Sequence, residues 1–193
     1  MILPIVVVGD PVLKTEAAAV EDNSPALQQL IDDMIETMYG ADGVGLAAPQ
    51  VGQALQLFVV DARPALPEGE PVPEEWPEQP LVCINPEILD ESEDSCEMEE
   101  GCLSIPDLRD IVRRPTSILL RYLDRNFNEH EVSLDGFMSR VVQHEYDHLE
   151  GILFLEHLSA FRRRLHRRRL RDISAGRIET EYPITLSSPN VIT

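Results

Sequence analysis

Apolar residues at Leu27, Leu30, Ile31, Met34, Ile35 and Met38 fall three and one apart by turns, the spacing of a single helical face. Ser24-Pro25 ahead of them supplies an N-cap and a proline at the first helical position, so a helix is predicted from Pro25 to near Gly40. Residues 2–8 are a short apolar run closed by the GDPVL turn and read as a buried strand. Leu55 to Asp61 and Leu81 to Ile84 read as further strands, which makes Cys83 a buried structural thiol. SILLRYLD (117–124) and EHEVSL (129–134) flank a turn at Arg125 to Asn128 and predict a hairpin, with His130 on its surface. A second helix runs from its N-cap Asp135 to about Leu149 and stops near Gly151. Phe137, Val141, His144 and His148 share one of its faces; Val142, Glu145 and Leu149 mark the neighbouring one. After Gly176, Ile178, Tyr182, Ile184 and Leu186 alternate as a short terminal strand docked at an edge.

Two segments break this pattern. Residues 62–80 hold six prolines and five glutamates and read as an exposed loop, with Trp76 as its anchor. Residues 160–171 (AFRRRLHRRRLR) set Leu165 and Leu170 among seven arginines, a basic amphipathic helix. The division expected is one catalytic domain over 1–159, then the basic helix and tail over 160–193. A chain of 193 residues, 43% hydrophobic, suffices for such a core. Charge divides at nearly the same place: residues 1–150 carry 8 basic and 31 acidic side chains, residues 151–193 carry 8 and 4. So acidic a body disfavours direct DNA binding. Three cysteines at no disulfide-framework spacing point to a reducing compartment. The N-terminal apolar run lacks a basic flank and ends at Gly9-Asp10, so neither a signal peptide nor a membrane span is expected, and the cytoplasm is.

The chemistry concentrates in His144-Glu145-Tyr146-Asp147-His148. Two histidines four apart on a helix reach a single metal ion, and Glu145, about 100° round from His144, is placed to handle a proton on water at that ion. A third ligand is needed. Within EMEEGCLS, Gly101 allows the tight geometry that aims the Cys102 thiolate inward; Cys96, in what reads as a solvated turn, is the weaker choice, and spacing does not decide between them. Gly43 to Gln50 (GVGLAAPQ) strips away side-chain bulk, the character of a wall for an extended peptide, and Gln50 offers an amide donor at its end.

GVGLAAPQ, EGCLS and QHEYDHLEG stand in that order in one chain, and together they closely resemble peptide deformylase, a family that removes the formyl group from new polypeptides. The likeness runs from about Leu3 to about Ser159. It implies an α+β fold, with antiparallel or mixed sheets packed round the HExxH helix, an N-terminal amphipathic helix and a basic C-terminal one. It implies Cys102, His144 and His148 as metal ligands, water in the fourth place and Glu145 as general acid/base. Gln50 and the Leu103 backbone N–H would donate to the formyl oxygen, with Gly45 beside them. Val44, Met98, Glu100, Arg109, Phe137 and Val141 would meet the substrate, and Arg140 would lie along the pocket rim by its stem. The metal implied is ferrous iron, replaceable by zinc, nickel or cobalt, and the substrate a formylmethionyl nascent chain. The basic helix Arg162–Arg171 either is a solvated helix balancing the acidic body or docks on ribosomal RNA.

Two rivals remain at this level. A zinc endopeptidase would take a carboxylate or a third histidine as ligand, and a non-catalytic metal protein would close the site with a fourth side chain such as Cys96.

Overall fold

In the computed structural model, residues 1–186 are described. The chain begins with β1 (Ile5–Val6), α1 (Pro25–Gly40), β2 (Gly45–Ala47), β3 (Leu57–Val60) and β4 (Leu81–Glu91). It continues with β5 (Ser95–Cys102), β6 (Ile105–Pro115), β7 (Ser117–Leu123), β8 (Glu129–Asp135), α2 (Gly136–Leu149), α3 (Ala160–Ser174) and β9 (Ile184–Thr185). The order β2-β3-β4-β7-β8 makes a five-stranded antiparallel sheet, β5 and β6 form a separate hairpin, and β1 pairs with β9 in parallel. The α+β expectation is met.

Period-two alternation decides which helix covers which face of the large sheet. Ala47, Phe58, Val60, Leu81 and Cys83 pack with Met138, Val141, Val142 and Leu149 of α2. The residues between them, Leu46, Leu57, Val59, Val82 and Ile84, pack with Ile31, Met34 and Met38 of α1. Side chains of this size contribute roughly 1.5–3 kcal/mol each when fully buried, so this sandwich is the main reason α2 stays where it is. The β5–β6 hairpin lies elsewhere, on a third cluster in which Ile105, Leu108 and Val112 meet Phe154, Leu158 and Ile173 of α3. Helix α2 meets the large sheet through its apolar side chains and the hairpin through Arg140 and His144, which bond to Glu100, Val112 and Cys96.

Helix α1 starts as its cap predicts, with Ser24 Oγ accepting the Leu27 N–H at 3.2 Å. Asp135 stands at the start of α2 but makes no side-chain cap bond. The strand read over residues 2–8 shrinks to Ile5–Val6, which pairs with Ile184 and Thr185 of β9 among the described residues. The GDPVL turn becomes a 3-10 turn over Pro11–Lys14, capped by Asp10. Cys96 lies within strand β5, not in a solvated turn. On α3 the two leucines do not share a face: Leu170 is half-buried against the third cluster, while Leu165 is 65% exposed. Arg162 and Arg169 tie α3 to Asp110 and Asp107 of β6. With β9 set on β1, residues 160–186 pack on the body; the rest of the tail in the 160–193 division lies outside the described residues. Among the described residues, no helix is long and apolar enough to cross a membrane.

Candidate active site

Strand β5 leaves its regular pairing with β6 at its last residue, the register slipping between Gly101 and Cys102. That slip re-aims the Cys102 side chain towards α2. One turn of α2 separates His144 from His148, and Cys102 Sγ and one ring nitrogen of each histidine lie within 4.8 Å of one another. Sγ is 3.3 Å from His148 Nε2. A thiolate and two imidazoles form a donor set suited to ferrous iron or zinc.

The orientation of His144 is fixed from behind. Its Nδ1 donates to Glu100 Oε2 at 2.9 Å, leaving Nε2 for ligation. Burial pushes the Glu100 carboxyl up, but its bonds with His144 and Arg114 outweigh this and hold it well below the usual range. Arg114 donates to both Glu100 oxygens at 2.7 and 3.0 Å, and Arg140 Nη1 adds a third bond at 2.9 Å. Arg114 also reaches Asp147 at 2.8 Å, which meets His157 at 2.7 Å. Burial lowers the His144 pKa, but the neighbouring Cys102 and Glu100 raise it well above its ordinary value. His148 is pushed well below its own by burial and by His144. A cluster that favours one proton on His144 and a neutral His148 is one in which a divalent ion can take that proton's place.

Glu145 lies against β2. Burial pushes its carboxyl up to about 7, and Oε2 is buried without a hydrogen-bond partner among the described residues. His148 Nδ1 is likewise without one. A Cβ on Gly45 would stand 2.8 Å from Glu145 Cδ, so only glycine lets the carboxylate approach this strand. Gln50, 1% exposed, is locked by the Ala47 N–H bonding to its Oε1 at 2.8 Å. Its Nε2 then donates to Cys102 Sγ at 3.4 Å and Ser104 Oγ at 3.3 Å.

A cleft of about 1320 Å³ opens over these groups. Small-molecule pockets occupy roughly 300–1,000 Å³, so there is room here for a stretch of peptide. Strand β2 borders it as a sheet edge. Val44, Gly45, Leu103, Arg109, Phe137 and Val141 all line it. Arg109 stands at the rim with its side chain 70% exposed, 3.7 Å from Glu99.

Three expectations need correction. Met98 pairs with Val112 across the hairpin and does not line the cleft. Glu100 borders the cleft, but both its oxygens are taken by Arg114, Arg140 and His144, which leaves it to orient a histidine and not a substrate. Arg140 does line the cleft, but as a buried residue and not at its rim: it is 3% exposed and also donates to Val112 O and Cys96 O. The sequence reading overlooked Arg114, although inward Leu108, Asp110, Val112 and Arg114 alternate along β6. A charged residue on the inward side of such an alternation announces a buried partner. It also overlooked Thr180 and Tyr182, which line the cleft from the tail, and Pro64 and Ala65, which line it from the start of the proline-rich loop.

Comparison with known proteins agrees with this geometry. A profile of the family described as "Polypeptide deformylase" matches residues 2–164. The peptide deformylase of Salinibacter ruber is 53% identical over 192 residues, spanning 100% of this chain and 98% of that protein. The crystal structure of a peptide deformylase from Legionella pneumophila superposes with a TM-score of 0.79 at 37% identity, covering 92% of this chain and 98% of that one. The Ehrlichia chaffeensis peptide deformylase in complex with actinonin gives 0.80 at 36%, covering 92% and 99%. The chain belongs to the polypeptide deformylase family.

Proposed function

We propose that this chain hydrolyses the N-formyl group from the N-terminal formylmethionine of newly made polypeptides. What supports this most is the convergence of Cys102 Sγ with His144 and His148, beside a buried Glu145 with a spare oxygen, at the floor of an open cleft. Cys102, His144 and His148 would hold one divalent ion, ferrous iron in the cell with zinc, nickel or cobalt as replacements. When bound, that ion supplies a Lewis acid that acidifies water and draws charge from a carbonyl oxygen. Glu145 takes the proton of the attacking water on its carboxylate and returns it to the departing peptide nitrogen, so that formate and a free amine leave. A carboxyl pushed up to about 7 is suited to both halves of that transfer near neutral pH. The Leu103 N–H, and Gln50 Nε2 once one of its two hydrogens is released from Cys102 Sγ or Ser104 Oγ, would donate to the formyl oxygen as negative charge builds on it. Val44, Phe137 and Val141 supply an apolar lining for the methionine side chain, and Arg109 at the rim meets the peptide beyond it.

The rival readings lack their donors. Among the described residues, the only group of three or more metal-ligating side chains within reach of one another is Cys102, His144 and His148. Glu156 caps Leu153 and pairs with Lys14, so it is not the carboxylate a peptidase site needs. Cys96 Sγ lies 3.3 Å from Arg140, outside the cluster.

The reading places the protein in the cytoplasm, with the ligand set and cleft floor drawn from residues 1–159. The exposed arginines of α3 would dock on ribosomal RNA. Anaerobic assay of formate release from a formyl-Met peptide, with metal content measured alongside, tests the activity. Glu145→Ala should keep the metal and lose turnover; turnover surviving that change would remove Glu145 from the mechanism. Actinonin, bound by the Ehrlichia chaffeensis relative, should raise the unfolding temperature of the loaded protein.

A further inference from the structure

The loop Cys102–Ser104 is tied down at four atoms. Gln50 Nε2 donates to Cys102 Sγ and to Ser104 Oγ. The Val8 N–H, just past β1, donates to the Ser104 carbonyl at 2.8 Å. The fourth tie comes from 79 residues away, where the Tyr182 hydroxyl donates to the Leu103 carbonyl at 2.8 Å. Tyr182 sits two residues before β9, and the β1–β9 pairing places it: the Ile5 N–H donates to Pro183 O at 2.8 Å. Thr180 Oγ1 donates to the Tyr182 carbonyl at 2.7 Å, bracing the turn from which the ring extends. Ring and loop share surroundings, since Tyr182 and Leu103 both pack on the α1 cluster and both line the cleft. On the other side of Leu103, Gly43 leaves no room for a Cβ, which would meet Leu103 Cδ1 at 2.9 Å.

We infer that Tyr182 is a positioning residue for the reaction: the C-terminal strap holds the Leu103 peptide through its carbonyl, and so holds the Leu103 N–H at the reacting centre. This rests on the deformylase reading, in which that N–H donates to the formyl oxygen. A preset donor acts only if it does not reorganise as charge develops. The peptide unit on each side of Leu103 is planar, so a bond to its carbonyl limits rotation about the residue's own two dihedrals. Burial raises the Tyr182 phenol above its ordinary range, so the hydroxyl remains a donor throughout the physiological range. The tail thereby becomes part of the site, although it lies beyond residue 164, where the family match ends.

Tyr182→Phe removes the hydroxyl and keeps the ring. Zinc-loaded wild type and variant are compared by steady-state hydrolysis of a formyl-Met peptide and by backbone 15N relaxation. The expected result is a kcat about tenfold lower at unchanged KM, short of the roughly 10²–10³ lost with a direct oxyanion donor. The Leu103 order parameter should drop clearly from the value of about 0.85 typical of rigid backbone. An unchanged kcat overturns the inference, as does a change confined to KM, which would make the tail a substrate wall and nothing more. A merely structural bond would lower the unfolding temperature and leave the kcat–KM split untouched. If wild type itself releases no formate, the deformylase reading fails; the Leu103 relaxation then decides by itself whether Tyr182 holds the loop.

Discussion

Glu100 Oε2 lies 2.9 Å from Nδ1 of His144, while Arg114 and Arg140 grip the same carboxylate from the other side. The carboxylate sets which ring nitrogen of His144 faces Cys102, and the arginines set where the carboxylate sits. Glu100→Gln keeps the shape but removes the charge that both arginines and the imidazole need. Loss of a ligand's outer partner typically weakens metal binding about 10–100-fold. Removing one member of a buried ion network costs roughly 3 kcal/mol besides. Competition with a chromophoric chelator reads the first effect and thermal unfolding of the metal-free protein reads the second. Wild-type metal affinity in the variant would show that His144 is oriented by something else.

Gly45 tests the position of the general acid/base without touching it. A Cβ there would sit 2.8 Å from both Cγ and Cδ of Glu145, so Gly45→Ala must displace that carboxylate or the strand. A displacement of about 1 Å at a reacting group can cost on the order of 10²-fold in rate. Gly45→Ala should therefore lose about that much kcat with metal content unchanged. Glu145→Gln, which removes the proton acceptor itself, should lose about 10²–10⁴-fold. A fully active Gly45→Ala would mean that Glu145 works from some other position.

These two positions also mark how far the sequence was readable. Helix α2 with its two histidines followed from residue spacing, as did α1 and the β7–β8 hairpin, because each has one apolar face and a matching period. The β5–β6 hairpin did not, since its inward positions include Glu100, Asp110 and Arg114, which satisfy one another or α3 instead of joining an apolar core. Periodicity reads apolar faces and is blind to buried charge networks. The choice of Cys102 over Cys96 turned on a register slip after Gly101 that no spacing rule contains. The Tyr182 contact was out of reach for another reason: alternation in the tail predicts a strand but does not name its partner.

Asp110 makes the docking of α3 pH-dependent. Burial raises its carboxyl, but the bonds from Arg162 and His166 outweigh that and hold it down to about 2. A carboxyl depressed below its ordinary 3.8 contributes stability that is complete above about pH 4 and is lost as pH falls towards 2. Asp110→Asn should lack this acid-sensitive part. At neutral pH it should be less stable by roughly 1.5–3 kcal/mol, the range for hydrogen bonds to a charged group. Thermal unfolding from pH 7 to pH 2 measures both. If the gap between wild type and variant stays constant as pH falls through this window, Asp110 is not the group that titrates.

The outward side of α3 decides between a solvated helix and a docking surface. Arg162 and Arg169 are engaged with the body, whereas Arg163, Arg164, Arg167, Arg168 and Arg171 are exposed, with Phe161 70% and Leu165 65% exposed among them. Apolar side chains left outside beside five exposed arginines suit a nucleic-acid surface better than charge balance with the acidic body. Deleting the helix is the wrong test, because Ile173 belongs to the core and the following tail carries Tyr182. Reversing four of them, Arg163, Arg164, Arg167 and Arg168, to glutamate leaves those contacts in place. If each meets one phosphate, ribosome affinity should fall on the order of 10²-fold between 50 and 200 mM salt. The reversed variant should bind barely or not at all, while hydrolysing a free formyl-Met peptide as wild type does. Co-sedimentation with ribosomes at several salt concentrations measures this, and equal binding by the two proteins would leave α3 a solvated helix.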